Sequence, residues 1–273
     1  MPSMIRAVLL GLIVATVVAG VAPAGPLEDA QAAYERGDYA TAQRLWGPLA
    51  EEGVAEAEFG LGRLSLFGNG VAKDGALAVA WLSRAATHGS ASVGWLLGQI
   101  YDGSLSSLGL DVVPDAAEAV RWYRVAAEGG FMAAWQQLAE HYAEGRGVAQ
   151  DFAEAIQWYR KLADEGDTFS RSRIGEFYRD GRGVPQDYAE AAKWFGEAAA
   201  GGYAYAQYQM GLFHRDGRGV HSDVVEAYKW LTLAAAAANP IPGAAAERDL
   251  LATKMTSVQI AEAQRLSSAW KPK

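Results

Sequence analysis

The stretch GRGVPQD, Gly181 to Asp187, decides how the rest of the chain is interpreted. Its closely spaced glycines fit a phosphate-binding loop, and they equally fit a sharp reversal between two helices. A phosphate loop occurs once, follows a strand and ends in Gly-Lys-Ser or Gly-Lys-Thr. This stretch lacks that ending and occurs repeatedly along the chain. The glycines therefore predict a structural turn.

The repeats of this turn have a fixed period. GRGVAQD occupies Gly145–Asp151, GRGVHSD occupies Gly217–Asp223, GNGVAKD is a near match at Gly68–Asp74, and a degenerate copy ends at Asp115. The closing aspartates are 41, 36, 36 and 36 residues apart. A tryptophan follows each of them by seven residues, at Trp81, Trp122, Trp158, Trp194 and Trp230. One unit repeated at a constant period indicates a solenoid.

Each unit is predicted to contain two helices. Asp151, Asp187 and Asp223 are placed to cap the first helix, and a glutamate three residues later predicts a capping box. Apolar residues at helical spacing, with the tryptophan among them, form the buried stripe of that helix. The turn glycines supply a left-handed backbone and a tight reversal after the second helix. They are Gly145, Gly147, Gly181, Gly183, Gly217 and Gly219.

The predicted fold is all-α, a right-handed superhelical α/α solenoid of about six helix pairs with a capping helix at each end. The units span about residues 37–72, 73–113, 114–149, 150–185, 186–221 and 222–254, followed by a C-terminal cap at 255–273. The second unit contains five extra residues within Gly103–Asp115. Thr256 and Gln259 predict a complete capping box at the start of the last helix.

Residues 1–24 differ from the rest of the chain. One positive charge at Arg6 precedes an apolar run, Ala7–Val21, and Ala22-Pro23-Ala24 follows as a small-residue cleavage pattern. We expect a signal peptide cut after Ala24, and hence a periplasmic or secreted protein. The run is too short for a stable membrane span.

Composition restricts the partners. The formal net charge is −8, and it becomes −9 when residues 1–24 are removed. An acidic chain has no electrostatic attraction to nucleic acid or to anionic lipid. Cysteine is absent, which excludes disulfides. We expect the partner to be another protein, with no cofactor and no stable membrane span in the mature chain.

The repeated pattern resembles a known family. AEAIQWYRKLADEG, Ala153–Gly166, followed by the G-x-G-V-x-x-D turn, resembles the Sel1-like repeats, which are relatives of the tetratricopeptide repeats. The resemblance covers about residues 37–254, and KMTSVQIAEAQRLSSAW looks like the closing helix of exported bacterial members. It implies a periplasmic adaptor or regulator of the kind that holds signalling kinases or envelope assemblies.

Catalytic motifs are sparse. The histidines, at positions 88, 141, 214 and 221, form no H-x-x-x-H pair, so we expect no metal site. Because the resemblance also includes secreted relatives linked to β-lactams, the one S-x-x-K match matters, Ser268–Lys271. The S-D-N and K-T-G partners are absent, which favours a fraying tail. We predict that the chain is not an enzyme. The alternatives are a secreted cell-wall or β-lactam-active enzyme, and a peptidoglycan- or polysaccharide-binding module.

Cations beside the tryptophans predict a basic concave face on the first helices. The partner-binding candidates there are Arg121, Arg124, Arg160 and Lys161. Such a face would attract an acidic partner segment. For Arg121 the alternative is an ion pair with Glu118 in its own helix, which does not explain the other three.

The inserted loop is the second candidate for partner binding. It contributes five apolar residues, Leu105, Leu108, Leu110, Val112 and Val113. Apolar side chains in one surface loop require burial, either against the chain itself or against a partner. Both possibilities stay open at the level of the sequence.

Further aromatic residues are predicted to serve packing. Tyr123, Tyr159 and Phe195 follow the core tryptophans and are expected to be half-buried. Trp95 and Trp135 are extra tryptophans in the second and third units. They predict either a thicker core or an exposed apolar patch there.

Overall fold

The computed structural model describes residues 25–272, so the predicted signal peptide lies outside the described residues. Within this range, regular structure consists of fourteen α-helices and one 3₁₀ helix, and no strand occurs. Within each of the two compact units described below, helices that are neighbours in the chain pack against one another. The predicted all-α solenoid of helix pairs is confirmed.

The described chain forms two compact units, residues 25–137 and 138–272, and helix α7 begins in the first and ends in the second. The first unit opens with a capping helix, α1 (Pro26–Glu35). Three helix pairs follow: α2 (Tyr39–Glu51) with α3 (Ala55–Phe67), α4 (Gly75–Thr87) with α5 (Ala91–Tyr101), and α6 (Ala116–Glu128) with α7 (Met132–Glu144).

The second unit contains three more pairs and the C-terminal cap. The pairs are α8 (Phe152–Asp164) with α9 (Thr168–Asp180), α10 (Tyr188–Ala200) with α11 (Ala204–Asp216), and α12 (Val224–Ala236) with α13 (Ala244–Ala252). The cap is α14 (Ser257–Ala269). Within residues 25–272, no helix is long and apolar enough to cross a membrane.

The aspartates cap the first helices, but the predicted capping box is only half formed. The Asp187 carboxylate accepts the backbone N–H of Glu190 at 3.0 Å, as expected of a cap. The N–H of Asp187 donates to the Tyr178 carbonyl at 2.9 Å, and this bond takes the place of the capping-box bond to the Glu190 side chain. The reciprocal bond exists in α14, where Thr256 and Gln259 form the predicted complete box.

The turn glycines have the left-handed backbone that their spacing predicts. Gly181 ends α9 with φ +68°, and Gly183 follows with φ +71°. The second glycine also has a packing role, because a Cβ at Gly183 would lie 2.5 Å from the Cβ of Phe152. Side chains at either position would be strained or would clash. The opening stretch is therefore a corner between helix pairs.

The tight contact between successive pairs involves the residue after each tryptophan. These residues are fully buried: Leu82, Tyr123, Tyr159, Phe195 and Leu231. The expectation that Tyr123, Tyr159 and Phe195 are half-buried is wrong. Several of these buried residues pack against a glycine of the preceding second helix. A Cβ at Gly175 would lie 2.9 Å from the Phe195 ring, and one at Gly211 would lie 2.7 Å from Leu231.

The tryptophans themselves lie at the edge of this contact. Trp122, Trp158 and Trp230 are buried, whereas Trp81 and Trp194 are only half-buried. In these units the residue after the tryptophan lies against the preceding second helix, whereas in the first pair the indole of Trp46 itself packs against Gly60 and is fully buried. The prediction that the tryptophans fill the space between layers is correct for some units and wrong for others.

The C-terminal tail packs against its own unit, and the expectation of a fraying end is wrong. The Trp270 ring lies edge-on to Trp230, with ring centroids 6.4 Å apart. A Cβ at Gly202 would lie 3.7 Å from Trp270 and 3.8 Å from Pro272. The last pair, α12 and α13, lacks the usual glycine turn, and the aromatic tail covers apolar surface at this end of the second unit.

Candidate functional site

The cations of the first helices are largely engaged with their own tryptophans. In the first unit, the guanidinium carbon of Arg121 lies 4.3 Å from the Trp122 ring centroid. In the second unit, Lys161 Nζ lies 3.9 Å from the Trp158 ring centroid. Cation–π contacts of this kind hold the charged head against the helix that carries it. The charge still reaches solvent, because both side chains are exposed.

The four predicted basic residues therefore differ in their surroundings. Arg121 Nη2 pairs with Glu118 at 2.7 Å, as the alternative interpretation of this residue expects. Arg160 Nη2 donates to the Tyr178 hydroxyl at 2.9 Å. Arg124 is exposed on α6 and also has an interaction partner within the protein. Arg121 and Arg124 belong to the first unit, and Arg160 and Lys161 belong to the second.

The inserted loop packs against its own unit. Leu105 and Leu110 are buried, and Leu108 and Val112 pack partly against the same apolar cluster. The Lys73 ammonium donates to the Leu108 carbonyl. Of the five apolar residues, Val113 is 81% exposed. The structure thus shows self-packing, so in this conformation Leu105 and Leu110 are not available to a partner.

The two extra tryptophans thicken the packing of the first unit. The Trp95 ring lies 5.3 Å from the Phe131 ring, and the Trp135 indole N–H donates to the Ala127 carbonyl at 3.2 Å. Both side chains are half-buried. Of the two predicted alternatives, the thicker core describes them better than an exposed patch.

A buried carboxylate in the first unit escaped the sequence analysis. The side chain of Glu58, in the first turn of α3, is 0% exposed. It accepts from Arg84 Nε at 2.8 Å and lies 2.7 Å from His88 Nδ1. Arg84 also donates to the Ala50 carbonyl at 2.6 Å, so one cluster joins α2, α3 and α4. A glutamate within an otherwise ordinary helix start gives no sign of this in the sequence.

The arginine–aspartate pairs in the turns of the second unit were also not predicted from the sequence. Arg179 Nε donates to Asp180 Oδ1 at 2.7 Å, and Arg179 Nη1 donates to the Tyr205 hydroxyl at 3.2 Å. This bonding raises the pKa of Arg179 and lowers the pKa of Asp180. Arg215 and Asp216 repeat the arrangement one unit later. The repeated Arg-Asp-Gly-Arg-Gly sequence could have revealed it.

The second unit also contains a depression of about 460 Å³ between its helices. It is lined by Arg171, Ala192, Lys193, Gly196, Glu197, Ala200 and Gly201. Arg171 comes from the start of α9, and the others come from α10 and the turn after it. Two cations, one carboxylate and small residues in an open recess suit a polar, charged side chain better than an apolar ligand.

The described residues provide little for metal or nucleophilic chemistry. No group of three or more histidines, aspartates or glutamates within residues 25–272 is placed to hold a metal ion. His141 is buried and its Nδ1 donates to the Arg146 carbonyl at 2.8 Å, which is a structural role. Ser268 and Lys271 are exposed at the end of α14 and beyond it.

Helix pairs repeated in this way, each joined to the next through a small residue, define an all-α repeat solenoid. The profile of the Sel1 repeat matches residues 55–90, 96–131, 136–167, 169–203 and 204–239, which make up more than half of the chain. The chain therefore belongs to the Sel1 repeat family. Each matched segment runs from a second helix into the following first helix, so five copies correspond to six pairs.

Solved structures of repeat proteins resemble this chain. A Sel1 repeat protein from Oxalobacter formigenes is 26% identical with a TM-score of 0.64, over 88% of this chain and 97% of that one. A protective antigen present in uropathogenic Escherichia coli strains, displaying an SLR fold, is 25% identical with a TM-score of 0.44, over 88% and 59%. No curated protein matches the chain. Sel1 repeat proteins are generally non-enzymatic scaffolds for protein–protein interaction.

Proposed function

We propose that this chain is an exported, non-enzymatic scaffold that binds another protein, as an adaptor or regulator in the bacterial periplasm. The observation that carries the proposal is the run of five Sel1 repeats from residue 55 to residue 239. Their cores are closed by the contacts between successive helix pairs, which leaves the charged faces of the first helices for recognition.

The first helices are better supported as the binding surface than the inserted loop. Arg124 on α6 and Arg160 on α8 expose charged side chains on an acidic protein, so they can steer an acidic segment of a partner. The loop buries Leu105 and Leu110 in its own unit. It retains Val113 as an exposed apolar contact, which is too small for a docking surface.

Site-specific crosslinking in cells tests the binding surface. A photoreactive amino acid replaces Arg124 or Arg160, and the control carries it at Glu262 on α14. We expect a discrete adduct with one protein from the first two positions and none from the control. Absence of any adduct from both first-helix positions, at normal expression, would contradict the proposal.

Fractionation tests the location. The full chain should be recovered from the periplasm in a form shortened by about residues 1–24, and a version lacking those residues should stay in the cytoplasm. Recovery of the full chain from the cytoplasm would contradict export while leaving protein binding untouched.

A nitrocefin assay of the purified chain tests the enzyme alternative, and we expect no hydrolysis above a Ser268→Ala control.

A further inference from the structure

Gly196 occupies a helix position where neither backbone nor packing requires glycine. It lies inside α10, outside the left-handed region, and a Cβ there would meet only the terminal methyl carbon of Met210 at 4.0 Å. Gly175 and Gly211 are different, because a Cβ at either would press into the next helix. Glycine in a helix interior is destabilising relative to alanine. At Gly196 no turn geometry or close helix contact offsets this loss of stability.

The preceding helix pair has an arginine at the equivalent position. Arg160 lies two residues after Trp158, as Gly196 lies two residues after Trp194. Arg160 reaches the Tyr178 hydroxyl of its own pair at 2.9 Å. In the next pair both partners have changed, since Gly196 stands for the arginine and His214 for the tyrosine. The depression of about 460 Å³ borders Gly196 on the side of Arg171 and Gly201, and His214 is not among its lining residues.

Two cations border the depression. Arg171 Nε and Nη2 both donate to the Ala163 carbonyl, at 3.2 and 3.0 Å, which fixes the guanidinium at the rim. Its ion pair with Glu197 is long, at 3.9 Å, and Lys193 Nζ lies 3.8 Å from Glu190. Both separations exceed hydrogen-bond distance, so these acids accept no hydrogen bond from the two cations. Glu197 also lines the depression, so an incoming carboxylate must compete with it for Arg171.

We propose that this depression binds an acidic side chain, Asp or Glu, of the partner protein. The carboxylate lies between Arg171 and Lys193, and its aliphatic stem lies against Ala192, Ala200 and the bare backbone of Gly196. A glycine at this position supplies the space, and the two cations supply the charge complementarity. The inference rests on the proposed scaffold function and names the chemistry of the partner at one site.

The test uses the purified, ¹⁵N-labelled protein and two capped tripeptides, acetyl-Ala-Glu-Ala-amide and acetyl-Ala-Gln-Ala-amide, at low salt. We expect the amide signals of Gly196 and Gly201 to shift with the glutamate peptide and to stay in place with the glutamine peptide. Equal shifts with both peptides, or none with either, would overturn the proposal.

Variants separate space from charge. Gly196→Arg adds a cation but places a large side chain on the lining of the depression, so binding should be lost. Tighter or unchanged binding would indicate nonspecific charge attraction and would overturn the proposal. Lys193→Gln should weaken binding about tenfold. Arg265→Gln, which removes an exposed cation of α14, should leave it unchanged. If Gly196→Arg does not fold, Lys193→Gln and Gly196→Ala decide, and wild-type affinity in both would refute the proposal.

Crosslinking in cells keeps this inference apart from the scaffold function. A partner captured equally by wild-type protein and by folded Gly196→Arg would refute the site while leaving the scaffold intact. Selective binding of the glutamate peptide without any captured partner would support the site and contradict the scaffold function.

Discussion

The two compact units are built from the same helix pair but are reinforced differently. Residues 25–137 contain 14 acidic and 7 basic residues, whereas residues 138–272 contain 18 acidic and 15 basic residues. The first unit adds apolar cover, with Leu105 and Leu110 from its inserted loop. The second adds charged turns, in which Arg179 bonds to Tyr205 and Arg215 pairs with Glu247.

This difference shows which part of a repeat is fixed and which part varies. In both units a fully buried residue after the tryptophan packs onto the preceding second helix, through Tyr123 in one and Phe195 in the other. The surroundings of this contact differ: the first unit has an inserted loop rich in leucine, and the second has hydrogen bonds and ion pairs made by arginines. The shared contact joins each helix pair to the next, and the variable surroundings reinforce it differently in the two units.

The largest expected effect tests the shared contact. Tyr123→Ala in the first unit and Phe195→Ala in the second should each lower the free energy of unfolding by about 3–5 kcal/mol, because each leaves a large cavity. Trp194→Ala should cost less, since that indole is half-buried. Urea unfolding measures all three. A loss below about 1 kcal/mol for either core residue would show that its unit is not held by this contact.

A smaller effect concerns the buried carboxylate of the first unit. Glu58→Gln should lower the free energy of unfolding by about 1–3 kcal/mol, because the charged acceptor of Arg84 and His88 is lost inside the protein. Glu118→Gln, an exposed carboxylate on α6 paired with Arg121, should change it by less than about 1 kcal/mol. Equal effects of the two variants would mean that burial of Glu58 contributes nothing.

Glycines in the second unit should respond in opposite directions. Gly196→Ala should stabilise the protein by about 0.5–1 kcal/mol, because a methyl group fits there without a clash. Gly211→Ala should destabilise it, since the new Cβ would lie 2.7 Å from Leu231. Thermal unfolding of both variants measures the contrast. Destabilisation by Gly196→Ala would mean that this glycine has a packing role.

The smallest effect concerns the pH dependence of the charged turns. Asp180 and Asp216 have lowered pKa values, chiefly through hydrogen bonds from Arg179 and Arg215. Their stabilisation is therefore present above the unfolded pKa of about 3.9 and is lost as the pH falls through the lower folded pKa. Asp180→Asn should reduce the fall in the free energy of unfolding at acid pH by a few tenths of a kcal/mol, measured by urea unfolding at a series of pH values. An acid-side dependence identical to that of the wild type would show that the turn contributes no net stability.

Much of the fold could be predicted from the sequence because its signals are local. The Asp caps, the left-handed glycines and the 36-residue period each depend on backbone geometry within a few residues. The two cations of the depression, Arg171 and Lys193, were not among the partner-binding residues predicted from the sequence. Arg171 and the recess at Gly196 were missed, because a glycine on a helix looks the same whether it packs or leaves space.

The sequence by itself determined the solenoid, the number of helix pairs and the positions of the repeated glycine turns, since the repetition of local signals is visible in one dimension. The tertiary structure alone decided that Tyr159, and not Trp158, is fully buried, and that Leu110 covers its own unit. It alone decided that Gly175 is packed while Gly196 is open. These outcomes depend on how each helix is rotated against its neighbour, and that rotation is set by side chains distant in the sequence.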